Sequence, residues 1–240
     1  MQKTLARRAN AGFTLLELLI VIAIISILSV ILILVLNPAE SLKKSRDTQR
    51  LSDLNTMKTA IGIYLSTVNP VDLDAAIASH CFTVPVNANA LISYSAQIAD
   101  VACTPNVAEG TDVTSSGTFS TTDFCRYVGA TGATATDGTG WIPVNFGNIS
   151  GGSPISSLPL DPTNTVATAT TPVSTDLVYR YSCQNLAAGG KPSSVFEIDS
   201  QLESDAFTVT NDLRANDGGD NAGYYEVGTS VKLIGTGSNF

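Results

Sequence analysis

The chain has 240 residues, of which 44% are hydrophobic, 7% aromatic and only 14% charged, a balance that excludes disorder as the default state. Its 13 basic and 21 acidic residues leave a net charge of −8, which excludes a nucleic-acid groove built from a general basic surface. The cysteines at 81, 103, 125 and 183 form no C-x-x-C pair, so zinc-knuckle and thioredoxin-type chemistry have little support and disulfides formed in an oxidising compartment fit better.

The chain opens with a short basic segment, residues 1–12, which carries Lys3, Arg7 and Arg8 and ends in Gly12. From Phe13 to Leu36 follows an apolar run of 24 residues, interrupted only by Thr14, Glu17, Ser26 and Ser29. As a helix it would span roughly 36 Å, enough to cross a bilayer core of about 30 Å. An ordinary secretory signal has a shorter apolar region with a small-residue cleavage site beyond it, whereas this run ends at Asn37-Pro38. Basic residues flank it on both sides, with Lys43, Lys44, Arg46 and Arg50 following, so the positive-inside rule leaves the orientation open. Glu17 is the anomaly. Insertion scales put Asp, Lys or Arg at the bilayer centre at about 2.5–3.5 kcal/mol, so a carboxylate in such a run either snorkels to the headgroups or has a partner.

Gly12 followed at once by Phe13-Thr14-Leu15-Leu16-Glu17-Leu18 resembles the processing signal of type IV prepilins and pseudopilins. The resemblance implies that a membrane-embedded prepilin peptidase cuts after Gly12 and methylates the new amine of Phe13. Glu17, at the fifth mature position, then serves assembly. A physical rationale exists beside the resemblance. Methylation retains the cationic charge of the amine, and Glu17 lies one helical turn away. In side-by-side helices the amine of one subunit can neutralise the Glu17 of its neighbour, turning two unfavourable buried ions into a register-setting pair.

Asn37-Pro38-Ala39-Glu40 reads as an N-cap, a proline at the first helical position and a glutamate placed for a capping box. The helix it opens either continues the first after a kink or follows a short melted turn at Pro38. Leu51, Leu54, Met57 or Lys58, Ile61, Tyr64 or Leu65 and Val68 recur at three and four, one apolar stripe that ends near Asn69-Pro70. Arg46, Asp47, Arg50 and Asp53 alternate in sign at helical spacings, and are expected as a solvated, salt-bridged face or as contacts to neighbouring subunits.

Strand periodicity appears later in the chain. Leu177, Tyr179, Tyr181 and Cys183 alternate with other residues, as do Phe196, Ile198, Ser200 and Leu202 with Glu197, Asp199, Gln201 and Glu203, the latter as in a half-buried strand. Trp141 to Phe146 and Tyr224 to Val227 are shorter candidates. Resting the apolar face of such a sheet on the helix stripe gives an α+β layering. The resemblance implies the same type IV pilin-like fold: a long N-terminal α-helical spine packed against a C-terminal antiparallel β-sheet head. The expected organisation is a cleaved leader over 1–12, a transmembrane or filament-core helix over 13–36, an amphipathic continuation over 37–68, and a disulfide-containing, Ser/Thr-rich β head over 69–240. Residues 156–164, SSLPLDPTN, look similar to loops of pilin-like heads.

Two bridges are expected among the cysteines, Cys81 with Cys103 and Cys125 with Cys183, although four cysteines permit three connectivities. Two stretches, 111–122 and 162–175, are dense in Ser and Thr and read as exposed loops or O-glycosylated surface. Asn148-Ile149-Ser150 is a lone N-glycosylation triplet. The one candidate metal site is the acidic glycine loop Asp212 to Glu226, where Asp212, Asp217 and Asp220 could offer hard oxygens to calcium, without the ordered spacing of an EF-hand.

No hydrolase, zincin or P-loop motif occurs, and the single histidine, His80, lies beside Cys81. From residue 66 onward five basic residues face 17 acidic ones, so the head repels DNA on average. The expectation is a structural subunit rather than an enzyme: a membrane-stored precursor that polymerises into an extracellular or envelope-spanning filament. Its partners would be identical or related pilin subunits, the prepilin peptidase and a membrane assembly platform. The alternatives are a pseudopilin of a type II secretion system and a single-span anchored surface domain that does not polymerise.

Overall fold

The computed structural model describes residues 13–74, 81, 92–96, 125–126, 132–165, 176–185 and 193–234. The chain divides into two compact units at Leu42/Lys43. The first contains helix α1, Leu15–Leu36, and the start of helix α2, Pro38–Thr67. Thr14 caps α1 by accepting the Glu17 N–H at 3.2 Å, a cap that sequence reasoning did not single out. The two serines inside α1 hide their hydroxyls by donating to the carbonyls of Ile22 and Ile25 at 2.7 and 2.8 Å, leaving no polar group of theirs unmatched.

Asn37 separates the helices in a left-handed conformation, φ 37°, one that Asn tolerates better than most residues. Its side-chain oxygen accepts the Glu40 N–H at 3.4 Å, and Pro38 opens α2 where a missing donor costs nothing.

The second unit is an α+β, pilin-like fold. Five strands, β1 (Ile92–Tyr94), β2 (Cys125–Arg126), β3 (Tyr179–Gln184), β4 (Val195–Ser200) and β5 (Tyr225–Gly228), form one sheet in the order β2-β1-β3-β4-β5. The pairs β1·β3, β3·β4 and β4·β5 are antiparallel, and β2 adds to β1 in parallel. In register, Tyr181 lies opposite Ile198 and Cys183 opposite Phe196, so these residues share the face that meets α2. There Leu54, Met57, Ile61 and Tyr64 of the helix stripe are all 0% exposed and join Tyr179, Tyr181, Phe196, Ile198 and Val227 in one core.

Three expectations are corrected here. The alternating β4 segment is not half-buried: both faces are covered, and Glu197 and Asp199 are as hidden as their apolar neighbours. The span Trp141 to Phe146 is not a strand but a bent loop running into a 3-10 turn, Phe146–Asn148, because Pro143 cannot donate to a ladder. The apolar side chains of that loop nonetheless fill the core. Trp141 donates its indole N–H to the Pro159 carbonyl at 2.9 Å, and Phe146 meets Tyr64 edge to face at 6.2 Å. Finally, the bridge seen is Cys81–Cys183, with Cα atoms 4.6 Å apart, which overturns the expected pairing of Cys183 with Cys125 and of Cys81 with Cys103. The cause is the sheet. Cys183 lies on the core face of β3, and Asp74, just beyond α2, holds the Cys81 N–H at 3.0 Å beside it, so proximity in sequence does not predict the partner. Cys103 lies outside the described residues.

Candidate functional site

Helix α1 presents exposed apolar side chains along its described length. Leu15 is 81% exposed, Leu28 59% and Leu36 61%, and the other described leucines, isoleucines and valines between them are exposed too. The helix is apolar on every side, the pattern of a segment whose solvent is lipid or other helices rather than water. Its length and hydropathy suffice to cross a membrane.

Glu17 stands in the first turn of this helix, where the aligned N–H groups favour a negative charge, and the Thr14 hydroxyl donates to its Oε2 at 3.4 Å. Phe13, 80% exposed, precedes that turn, four positions before the carboxylate expected to act in assembly. Gly12 lies outside the described residues.

Within the second unit, α2 is held by charge as well as by its apolar stripe. Arg50 is fully buried and donates from Nε and Nη2 to the two oxygens of Asp161 at 2.7 and 2.9 Å. Its Nη1 reaches Asp47 at 2.8 Å and Glu203 at 2.7 Å, and Nη2 also reaches the Thr163 hydroxyl at 3.1 Å. Asp47, also fully buried, accepts the backbone N–H groups of Glu203 and Ser204 and the Ser204 hydroxyl. Arg46 closes the rim with two bonds to Glu203, at 2.8 and 2.9 Å. Burial pushes the Glu203 carboxyl up, but Arg46 and Arg50 outweigh it and hold the group below its usual value. Burial opposes the charge on Arg50 too, and the facing Asp161, Glu203 and Asp47 carboxylates reverse that effect.

The expected solvated face of Arg46, Asp47, Arg50 and Asp53 is therefore an anchoring network, with Asp53 accepting the Tyr179 hydroxyl at 2.8 Å. Helical spacing shows that these charges share a face. It does not reveal that Asp161 and Glu203, more than a hundred residues on, cover it. Asp161 lies in the SSLPLDPTN loop, whose Asx turn onto the Thr163 and Asn164 amides presents the carboxylate to Arg50.

The calcium candidates do not come together as a ligand set. Asp212 is spent on Arg214, which donates to both of its oxygens at 2.9 Å, and Asp217 accepts the Gly219 and Glu226 N–H groups at 2.8 Å each. Among the described residues no group of three or more His, Cys, Asp or Glu could hold a metal ion. The stretch 111–122 lies outside the described residues, as does 166–175. Asn148, of the glycosylation triplet, is exposed at the end of its 3-10 turn.

A bare apolar helix with a first-turn carboxylate, joined to an α+β head, is the outline of a type IV pilin-like precursor. Residues 7–33 match the prokaryotic N-terminal methylation motif, the type IV prepilin signal, so the N-terminal segment is similar to that of type IV pilin- and pseudopilin-like precursors. No curated protein and no solved structure matches the chain.

Proposed function

We propose that the protein is a structural pilin subunit, cleaved by prepilin peptidase between Gly12 and Phe13, methylated on the Phe13 amine and polymerised through α1 into a type IV pilus-like filament. Such a filament would serve adhesion, motility or DNA uptake outside the cell, after the precursor has been stored in the inner membrane through the same helix. The observation that supports this reading most is the exposure of α1 on all sides together with Glu17 in its first turn. An all-round apolar surface can exchange lipid for like helices without loss. The carboxylate supplies what lipid cannot satisfy and a neighbouring Phe13 amine can.

The experiment is Glu17→Ala as the only copy in the host, read as the ratio of sheared-filament to membrane-bound subunit, with N-terminal sequencing of both pools. The variant should still insert and be cut to a methylated Phe13. Losing one partner of a fully buried pair costs about 3–5 kcal/mol, so it should accumulate in the membrane and enter filaments poorly. A wild-type ratio would defeat the pairing mechanism. An uncut N-terminus in the wild-type chain would favour a single-span anchored surface domain instead.

A further inference from the structure

The second unit carries a hole and a knob at different places on its surface. The hole is a groove of about 510 Å³ on the exposed side of α2, between Ser52, Thr56, Thr59 and Ile63 of the helix and Pro154 and Ile155 of the loop beyond the 3-10 turn. No charged side chain lines it. Thr56 and Thr59 spend their hydroxyl protons on the Ser52 and Asn55 carbonyls, both at 2.8 Å, so these walls seek no acceptor. Gly62, beside Ile63, is a mid-helix glycine at which a Cβ would meet nothing within 4 Å. Such a residue weakens a helix and adds no packing here, yet it leaves the backbone open to close approach from outside.

The knob is the single π-helical turn Ala206–Thr210, which shows Val209 to solvent, 74% exposed. It is braced from below. The Asn211 N–H donates to the Ala206 carbonyl and the Leu213 N–H to the Phe207 carbonyl, both at 3.0 Å. Arg214, fixed on both oxygens of Asp212, donates to the Thr208 carbonyl at 2.9 Å. Turns of this kind are rare and gather at functional positions, and this one holds a valine rigidly in water. Among the described residues of the second unit, Ile63 in the groove and Val209 on the knob are the only large apolar side chains left exposed.

Charge and size select the occupant of the groove. With five basic residues against 17 acidic ones from residue 66 onward, two heads repel each other on average, and close approach costs least where both surfaces are uncharged. The groove and the Ala206–Thr210 turn are both such surfaces. A one-turn knob covers far less than the roughly 1,000 Å² that a free-standing interface needs, so the groove is too small to hold a soluble partner by itself. It suffices for a partner already gathered by another contact, at an effective concentration of about the millimolar range. Packing through α1 gathers copies of this chain in that way. We propose that the Val209 turn of one subunit docks in the α2 groove at Ile63 of a neighbouring copy and sets the register of their heads, a contact that rests on polymerisation through α1. Knob and groove are different patches, so the contact is heterologous, and its repetition builds an open array rather than a closed pair.

The test is crosslinking in sheared filaments of the full chain. Two copies are expressed together, one with Val209→Cys and the other with Ile63→Cys, and the filaments are oxidised in air with copper phenanthroline. A reducible dimer should form in the mixed filaments and not in filaments of either variant alone. Val209→Asp as the only copy should lower the ratio of sheared-filament to membrane-bound subunit about tenfold, the loss of one well-packed interface anchor. Its head should melt as the wild type does, because Val209 is exposed, and Ile63→Asp should lower the ratio likewise. Mixed filaments without the dimer, a dimer from one variant alone, or a wild-type ratio from the folded Val209→Asp chain would overturn the contact and leave polymerisation standing. A wild-type chain that stays uncut and forms no filament would overturn both.

Discussion

Helices α1 and α2 follow one another in the chain, and each reverses what its composition suggests about burial. The leucines and isoleucines of α1 are exposed, whereas Asp47 and Arg50 of α2 are sealed from water. The difference teaches that hydropathy specifies a solvent, not a depth. An all-round apolar surface asks for a medium the chain does not supply itself. A charged residue can be hidden when every one of its hydrogen-bonding groups finds a counterpart, as the Arg50 guanidinium does on Asp47, Asp161, Glu203 and Thr163.

The strongest way to break this contrast is Arg50→Ala, which strands the Asp47, Asp161 and Glu203 carboxylates around an empty space. The expected loss is about 3–5 kcal/mol of head stability, visible as a fall in Tm of the detergent-solubilised chain. A change under about 1 kcal/mol would mean that the network is dispensable. Next in size is Leu54→Ala, expected to cost about 2–5 kcal/mol because Leu54 is fully buried between helix and sheet. Glu203→Gln should cost less, about 1–2 kcal/mol, since it loses charge-assisted bonds at a rim position 15% exposed. Glu203 is held below its usual value, so its contribution is present above the unfolded value and is lost as pH falls through the folded one. The variant should accordingly show a shallower acid limb in a urea titration from pH 7 down to pH 3. The smallest effect is Leu28→Ala in α1, expected to leave the head within about 0.5 kcal/mol of wild type. Comparison with Leu54→Ala, the same deletion in the buried helix, measures the contrast directly.

Much of this was legible because it is local. The Asn37-Pro38-Ala39-Glu40 start of α2, its Leu54-Met57-Ile61 stripe and the period-two runs of β3 and β4 each follow from neighbouring residues. So does the match of Phe13 and Glu17 to the methylation signal. What was not legible depends on which distant segment covers which face. Arg50 looks like one half of a surface pair until Asp161 arrives from a proline-bounded loop. Glu197 and Asp199 read as the wet side of β4 until Arg180 pairs with Asp199 and the backbone of Leu233 and Ile234 covers Glu197. Strand β1 was missed because Ile92–Tyr94 is too short to display a period. The disulfide partner of Cys183 follows from sheet register and the position of the chain after α2, neither of which is written in the spacing of the cysteines.

The Cys81–Cys183 bridge spans 102 positions of sequence and encloses β1, β2 and most of β3 in a covalent ring. A protease that cuts once anywhere between the two cysteines therefore opens the ring without dividing the molecule. The half bearing α1 remains bonded to the half bearing β4 and β5. A nicked subunit would run as one species on a non-reducing gel and as two after reduction, and α1 would still carry the whole head. Such a closure separates damage to the chain from loss of the part.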